Sequence, residues 1–193
     1  MATCHFTNNT EYTFTNDIYI CNSSINYPGA ASSSSLSTAI STGTDKWVQL
    51  FVSKIVDIPD VKPSAEGIDS VNTAVNIFSQ RVIKTPVVTG YTNSSGEFIP
   101  GSEIPNAEGS YLTGRKLVLE GVITQKVIYT ALQDDQALHS ASFLIPFSTF
   151  IIVDSDTALS KEYKISAYLE DVFSCLLSER SIFLNNTLFI KAV

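Results

Sequence analysis

Apolar residues recur at every second position through much of this chain, and a period of two marks a half-buried β-strand. The pattern is densest over residues 116–150, KLVLEGVITQKVIYTALQDDQALHSASFLIPFSTF. This stretch reads as two strands, a polar turn at Asp134-Asp135-Gln136, and a third strand ending in an Ile145-Pro146-Phe147 corner. Gly121 sits inside the pattern as a bulge candidate. Pro146 has no N–H to give a ladder, so it ends pairing or marks an edge. Phe147 and Phe150 bring large apolar area to a core.

Further strand signals lie on both sides. WVQLFVSKIVDI, starting at Trp47, is apolar on both faces and predicts an interior strand or a strand covered on both sides, closed by Pro59 and Pro63. SVNTAVNIF runs into QRVIKTPVV with β-branched residues throughout. KEYKISAYLEDVF places Tyr163, Ile165, Ala167 and Leu169 on one face. SIFLNNTLFIKAV is a last strand with Asn185-Asn186 as a bulge or tight turn. Glu170-Asp171 can pair with Arg180 across strands, for about 0–1 kcal/mol if exposed. Helical periodicity is convincing nowhere, EDVFSCLLSER included. Strands this short and numerous, separated by turn signals, predict an all-β, β-sandwich-like domain with an N-terminal strand-forming arm.

The chain has 193 residues, enough for one good core and an arm. It divides near Trp47 into an arm with a Ser/Thr-rich linker, residues 1–46, and a β domain, residues 47–193. Between positions 4 and 20 the even face carries Phe6, Tyr12, Phe14, Ile18 and Ile20, with Asn8-Asn9 as a turn candidate. Tyr27-Pro28-Gly29-Ala30-Ala31 and the serine run after it form a linker that is flexible on its own. The alternation specifies a buried face but not whose face buries it. The arm either completes its own sheet or adds a strand to an open edge of a neighbour.

Charged residues make up 16% of the chain, against about 25% in a typical soluble protein. Its polar surface is therefore built from Ser, Thr and Asn. The net charge is −7 and the few basic residues are scattered, which excludes a nucleic-acid binder. No apolar run approaches the roughly 18 residues of a membrane span. The N-terminus lacks the basic and apolar regions of a signal peptide, so synthesis in a cytoplasm is expected. Of Cys4, Cys21 and Cys175, at least one has no partner within the chain. They stay reduced in a reducing compartment, or Cys4 and Cys21 join neighbouring chains once conditions turn oxidising.

No constellation of catalytic residues stands out, and no enzyme is expected. His139-Ser140 lies near Asp134 and Asp135, but there is no Gly-x-Ser-x-Gly elbow, and local hydrogen bonding at a strand start accounts for His139. Cys4, His5 and Cys21 fit no zinc spacing. Neither Asp134-Asp135 nor Asp154 with Asp156 has the ligand alternation of a calcium loop. No glycine-rich phosphate cradle precedes a helix, so no cofactor and no metal are expected. The Asn-x-Ser/Thr sequons at Asn8, Asn22, Asn93 and Asn185 are chance matches in a chain this rich in Asn, Ser and Thr. The long segment 89–114 is a candidate ligand loop through Tyr91, Phe98 and Tyr111, or those aromatics pin it to the sandwich.

Several short blocks carry a family resemblance in order and spacing. They are Ile58-Pro59 and Lys62-Pro63 followed by Ser70-Val71, then residues 82–86, VIKTP. Thr113-Gly114-Arg115-Lys116 leads into Glu120-Gly121-Val122, and His139-Ser140-Ala141 precedes IPFSTF at 145–150. Leu169-Glu170-Asp171-Val172 and Arg180-Ser181-Ile182-Phe183 close the series. Together, over about residues 47–193, they resemble the SPOCS domain of clostridial spore-coat assembly proteins. The resemblance implies a structural, self-assembling protein of the endospore surface, a coat, exosporium or appendage subunit. It would be made in the mother cell and deposited on the spore, with itself and other coat proteins as partners. Family members often carry a LysM peptidoglycan-binding module. None is found here, which favours a building block over an adaptor. No catalytic residues carry over. The alternative is a monomeric module that docks on another coat protein or a glycan.

Overall fold

The computed structural model describes residues 27–32, 34–35, 37–38, 46–86, 90–100 and 113–193. Its strands are β1 (Trp47–Asp57), β2 (Ala65–Lys84), β3 (Gly90–Thr92), β4 (Phe98–Pro100), β5 (Arg115–Ala131), β6 (Leu138–Ile152), β7 (Ile165–Leu176) and β8 (Ser181–Ala192). Two antiparallel three-stranded sheets, β1-β8-β7 and β2-β5-β6, form a β-sandwich, and β3-β4 is a separate hairpin. At the sides of the sandwich β2 lies against β7 and β1 against β6. The chain's first long strand completes the sheet begun by its last two.

Alternation places the core. On β5, Leu117, Leu119, Ile123, Val127 and Tyr129 are fully buried, and on β8 Ile182, Leu184, Leu188 and Ile190 face them. Each such aliphatic side chain contributes roughly 1.5–3 kcal/mol relative to exposure. The segment EDVFSCLLSER, the best helix candidate, is β7 and its turn.

Several local expectations are corrected. The two strands expected before the Asp134 turn are one, the 17-residue β5. Gly121 stays in register, and the bulge falls across from it, where the shift between Ile77 and Ser79 leaves Phe78 extra. Gly121 is needed for another reason: a Cβ there would come within 2.6 Å of the Phe147 ring and 2.9 Å of the Asn76 carbonyl oxygen. Ile145-Pro146-Phe147 is no corner, because β6 runs straight through it with Pro146 opposite Val122 on an edge strand. Phe147 packs on the core, whereas Phe150 is 46% exposed with the Lys116 ammonium over its ring. β1 is an edge strand and not an interior one.

Asn185-Asn186 is neither bulge nor turn. Both residues sit in uninterrupted register between β1 and β7, because Asn186 has a partner for its amide inside the core. Gln125 Nε2 donates to Asn186 Oδ1 at 2.8 Å, and Asn186 Nδ2 donates back to Gln125 Oε1 at 3.4 Å. Gln125 also donates to Thr73 Oγ1 and Asn186 to the Val52 carbonyl. This reciprocal amide pair is fully buried and joins the middle strands of the two sheets.

Arg180 does not pair with Glu170 or Asp171. Its guanidinium donates to the carbonyls of Ile58, Pro59 and Lys62 and meets Asp60 at 3.6 Å, fastening the turn between β1 and β2. Glu170 accepts instead from the Gln49 amide on β1. Beside this turn Tyr129 donates its hydroxyl to the Pro63 carbonyl at 3.1 Å. Burial pushes the Tyr129 phenol above its ordinary value, and the nearby Arg180 charge pulls part of the way back.

Two predictions follow from these contacts. Asn186→Leu alone takes the partner from the Gln125 amide oxygen and lowers stability by about 1–3 kcal/mol, while Gln125→Met with Asn186→Leu costs less than the single change; urea unfolding measures both. A phenol whose pKa is raised by folding contributes stability that is present below the unfolded value of about 10 and is lost as pH rises through the folded one. Stability therefore falls on the alkaline side of about pH 10, and Tyr129→Phe flattens that limb in melting curves taken across pH.

Candidate functional site

β1, β7, β2 and β6 are all edge strands, and an edge presents unpaired N–H and C=O groups to any strand that arrives. Most of these edges are blunted. Pro146 interrupts the donors of β6. Lys54 puts a charge in the core-facing row of β1, opposite buried Leu184. β2 is broken by register shifts at 65/67, 68/70 and 77/79, and β7 by one at 169/171.

The side where β2 and β7 meet is partly closed by residues 27–31. Thr73 N on β2 donates to the Pro28 carbonyl at 3.1 Å, and Ala31 N donates to Leu169 O on β7 at 2.7 Å. The Tyr27 hydroxyl accepts from Ser174 N at 3.2 Å and lies 3.3 Å from Ser174 Oγ. This strap hydrogen-bonds to both sheets at once. Gly29 makes the close approach feasible, with φ at +104° and room for no Cβ, which would stand 2.2 Å from Thr73 O. These residues begin the stretch expected to be a flexible linker, and here they are fixed to the domain. The tyrosine followed by Pro28-Gly29 was the available signal, but a Pro-Gly turn does not say what it turns against.

Beyond the strap the gap between β2 and β7 stays open as a groove of about 360 Å³, lined by Val75, Ile77, Phe78, Gln80, Ile165 and Ala167 among others. Its far end is clasped by Gln80, whose Nε2 donates to Tyr163 O at 2.9 Å and whose Oε1 accepts from Tyr163 N at 3.0 Å. Gln80 thus mimics a backbone pairing step between the sheets. Phe78, the bulged residue, stands 63% exposed at the groove's lip.

The outer face of the β1-β8-β7 sheet is the second notable surface. Trp47, Phe51 and Ile55 share one face of β1, four residues apart, and are 50%, 77% and 59% exposed. Trp47 and Tyr168 both pack on Phe189, with ring centroids 5.8 and 6.2 Å apart, and Phe173 meets Phe183 edge-on. Gln49 and Glu170 lie between them.

The residues expected to form the assembly arm, Phe6, Tyr12, Phe14, Ile18 and Ile20, lie outside the described residues, as do Cys4, Cys21 and Tyr111. Tyr91 and Phe98 are placed only as backbone positions of the β3–β4 hairpin, opposite Ile99 and Thr92. Its turn is organised by Asn93, whose Oδ1 accepts from Ser95 N and Glu97 N. Cys175 is buried on β7, its thiol directed at the Leu176 carbonyl at 3.6 Å. His139, the second residue of β6, stacks on Tyr129 across the β5–β6 pair. Among the described residues no group of three or more His, Cys, Asp or Glu side chains could hold a metal, and no helix is long and apolar enough to cross a membrane.

The fold is thus an antiparallel two-sheet sandwich with a strapped, partly open side. Residues 102–177 match the family model described as SipL, SPOCS domain. The matched segment includes β5, β6 and β7, so it supplies strands to both sheets. The SPOCS resemblance read from the sequence is supported over that segment. No curated protein and no solved structure matches the chain.

The strap is testable by itself. Gly29→Ala is expected to release it, so the Thr73 and Ser174 amides exchange with deuterium about tenfold faster or more while the global unfolding midpoint moves little.

Proposed function

We propose that this chain is a structural building block of the bacterial endospore surface that assembles with copies of itself. The SPOCS match over residues 102–177 is the observation that carries the reading. The open gap between β2 and β7 and the exposed apolar row on β1 support it, since both suit contact with further protein. The low charge content suits dense packing, because such surfaces repel one another weakly.

In this reading the strand-patterned part of the arm, residues 4–20, adds to an open sheet edge of a neighbour. Donation from one copy to the next is head-to-tail and produces filaments or rings. Cys4 and Cys21 then lock neighbours covalently after the mother cell lyses and conditions turn oxidising. The role is structural and not catalytic. A second reading, a monomer docking on another coat protein or a glycan, draws on the Trp47–Phe189–Tyr168 row, because aromatic faces beside polar side chains suit such ligands.

Negative-stain electron microscopy and gel filtration of the full chain without reductant test the proposal. Regular filaments, rings or sheets are expected. A chain lacking residues 1–21 should remain monomeric with its domain folded. Its assembly at full-chain levels would refute the arm's role, and a full chain that is a single small species would favour docking.

A further inference from the structure

We propose that the groove between β2 and β7 is the acceptor site for a short strand drawn from residues 4–20 of a second copy of this chain. This rests on the self-assembly reading and adds where the arm goes.

The groove has the properties of a strand receptor. In an antiparallel ladder the hydrogen-bonding direction alternates along a strand. Thr73 N points away from β5 toward the strap, so Val75 and Ile77 direct their N–H and C=O groups to the same free side. Leu169 O points outward to Ala31, so Ala167 and Ile165 do likewise on β7. The side chains of these four residues face inward and floor the groove. Backbone groups at the lips with apolar side chains beneath are what an added strand needs: ladder bonds for affinity and pockets for alternate side chains. The strap already satisfies one lip each with Pro28 and Ala31, so an incoming strand continues a line the chain has begun. The open stretch opposite 75–80 accepts about five residues at ~3.3 Å each.

The chemistry of the occupant matches. Among the described residues that line the groove none is charged. Residues 12–20, YTFTNDIYI, carry one charge, Asp17, and put apolar side chains two apart at Tyr12 and Phe14 and again at Ile18 and Ile20.

Chain direction favours a second copy as donor. The strap meets β7 first at Ser174, through Tyr27, and then at Leu169, through Ala31. It therefore runs toward Ile165, with Tyr27, its first described residue, at the Ser174 end. The groove lies past the opposite end of the strap. A chain's own arm would have to return past the strap from Tyr27 to fill it, a reversal that a neighbour's arm does not need. Among the described residues just downstream of the strap, Ser32, Ser34, Ser35, Ser37 and Thr38 are exposed, and none of them lines the groove.

The test places a photo-crosslinking benzoylphenylalanine at Phe78 of the full chain. Light and ¹⁵N-labelled chains are mixed before assembly, irradiated afterwards, and analysed by mass spectrometry. Links from position 78 to residues 4–20 are expected, with mixed-isotope pairs as abundant as both like-isotope pairs together. Ala167→Arg, which puts a charge on the groove floor, is expected to reduce assembly by about tenfold or more with an unchanged melting curve. Like-isotope links alone, links outside residues 4–20, no links, or full assembly of the Ala167→Arg chain would each overturn the groove assignment and leave self-assembly standing. A parent chain that stays monomeric would overturn the assembly reading beneath it.

Discussion

The Gln125–Asn186 amide pair sets the relation between the two halves of the molecule. Two apolar sheet faces attract one another without direction, and many offsets between them bury similar area. A buried amide left unpaired costs about 1–3 kcal/mol, so an offset that separates Gln125 from Asn186 is penalised twice. The pair also reaches Thr73 on β2 and the Val52 carbonyl on β1, so four strands are held in one arrangement. Polar groups of this kind confer uniqueness on a core more than strength.

Fixing that offset decides which edges meet. With β5 over β8, β2 lies beside β7 and β1 beside β6. The two sides are treated differently. Pro146 and Lys54 make the β1–β6 side a poor template for pairing. The β2–β7 side is occupied for a few residues by the strap, clasped at one end by Gln80 and Tyr163, and open between them. A sandwich with one side blunted and one side partly filled has a direction, as a unit that joins end to end requires.

The strand content and the inward face of β7 at Ile165, Ala167 and Leu169 were legible in the sequence because side-chain direction in a strand follows parity alone. Parity fails where burial depends on neighbours. Trp47, Phe51 and Ile55 read as one covered face of an interior strand, but nothing local reveals that β1 has a partner on one side only. Asn185-Asn186 read as a turn because Asn favours turns, until a glutamine distant in sequence supplies the partner that makes an in-strand asparagine stable. Arg180 read as a partner for Glu170 and Asp171, whereas three carbonyls of the β1–β2 turn offer its fork a better fit than a single exposed carboxylate.

The sequence by itself determined that this is an all-β chain, which strand faces are apolar, that its tail is strand-patterned, and that it resembles a spore-coat family. Those properties reside in composition, in a two-residue period and in the order of short blocks. Only the tertiary structure decided the sheet order, the buried amide pair, the strap through Gly29 and the groove beside it. Each of these joins residues far apart in the chain: Tyr27 with Ser174, Thr73 with Pro28, Gln125 with Asn186. Hydrogen bonds between sheets depend on register and offset, and those are set by the packing of the whole sandwich, not by any local run of residues.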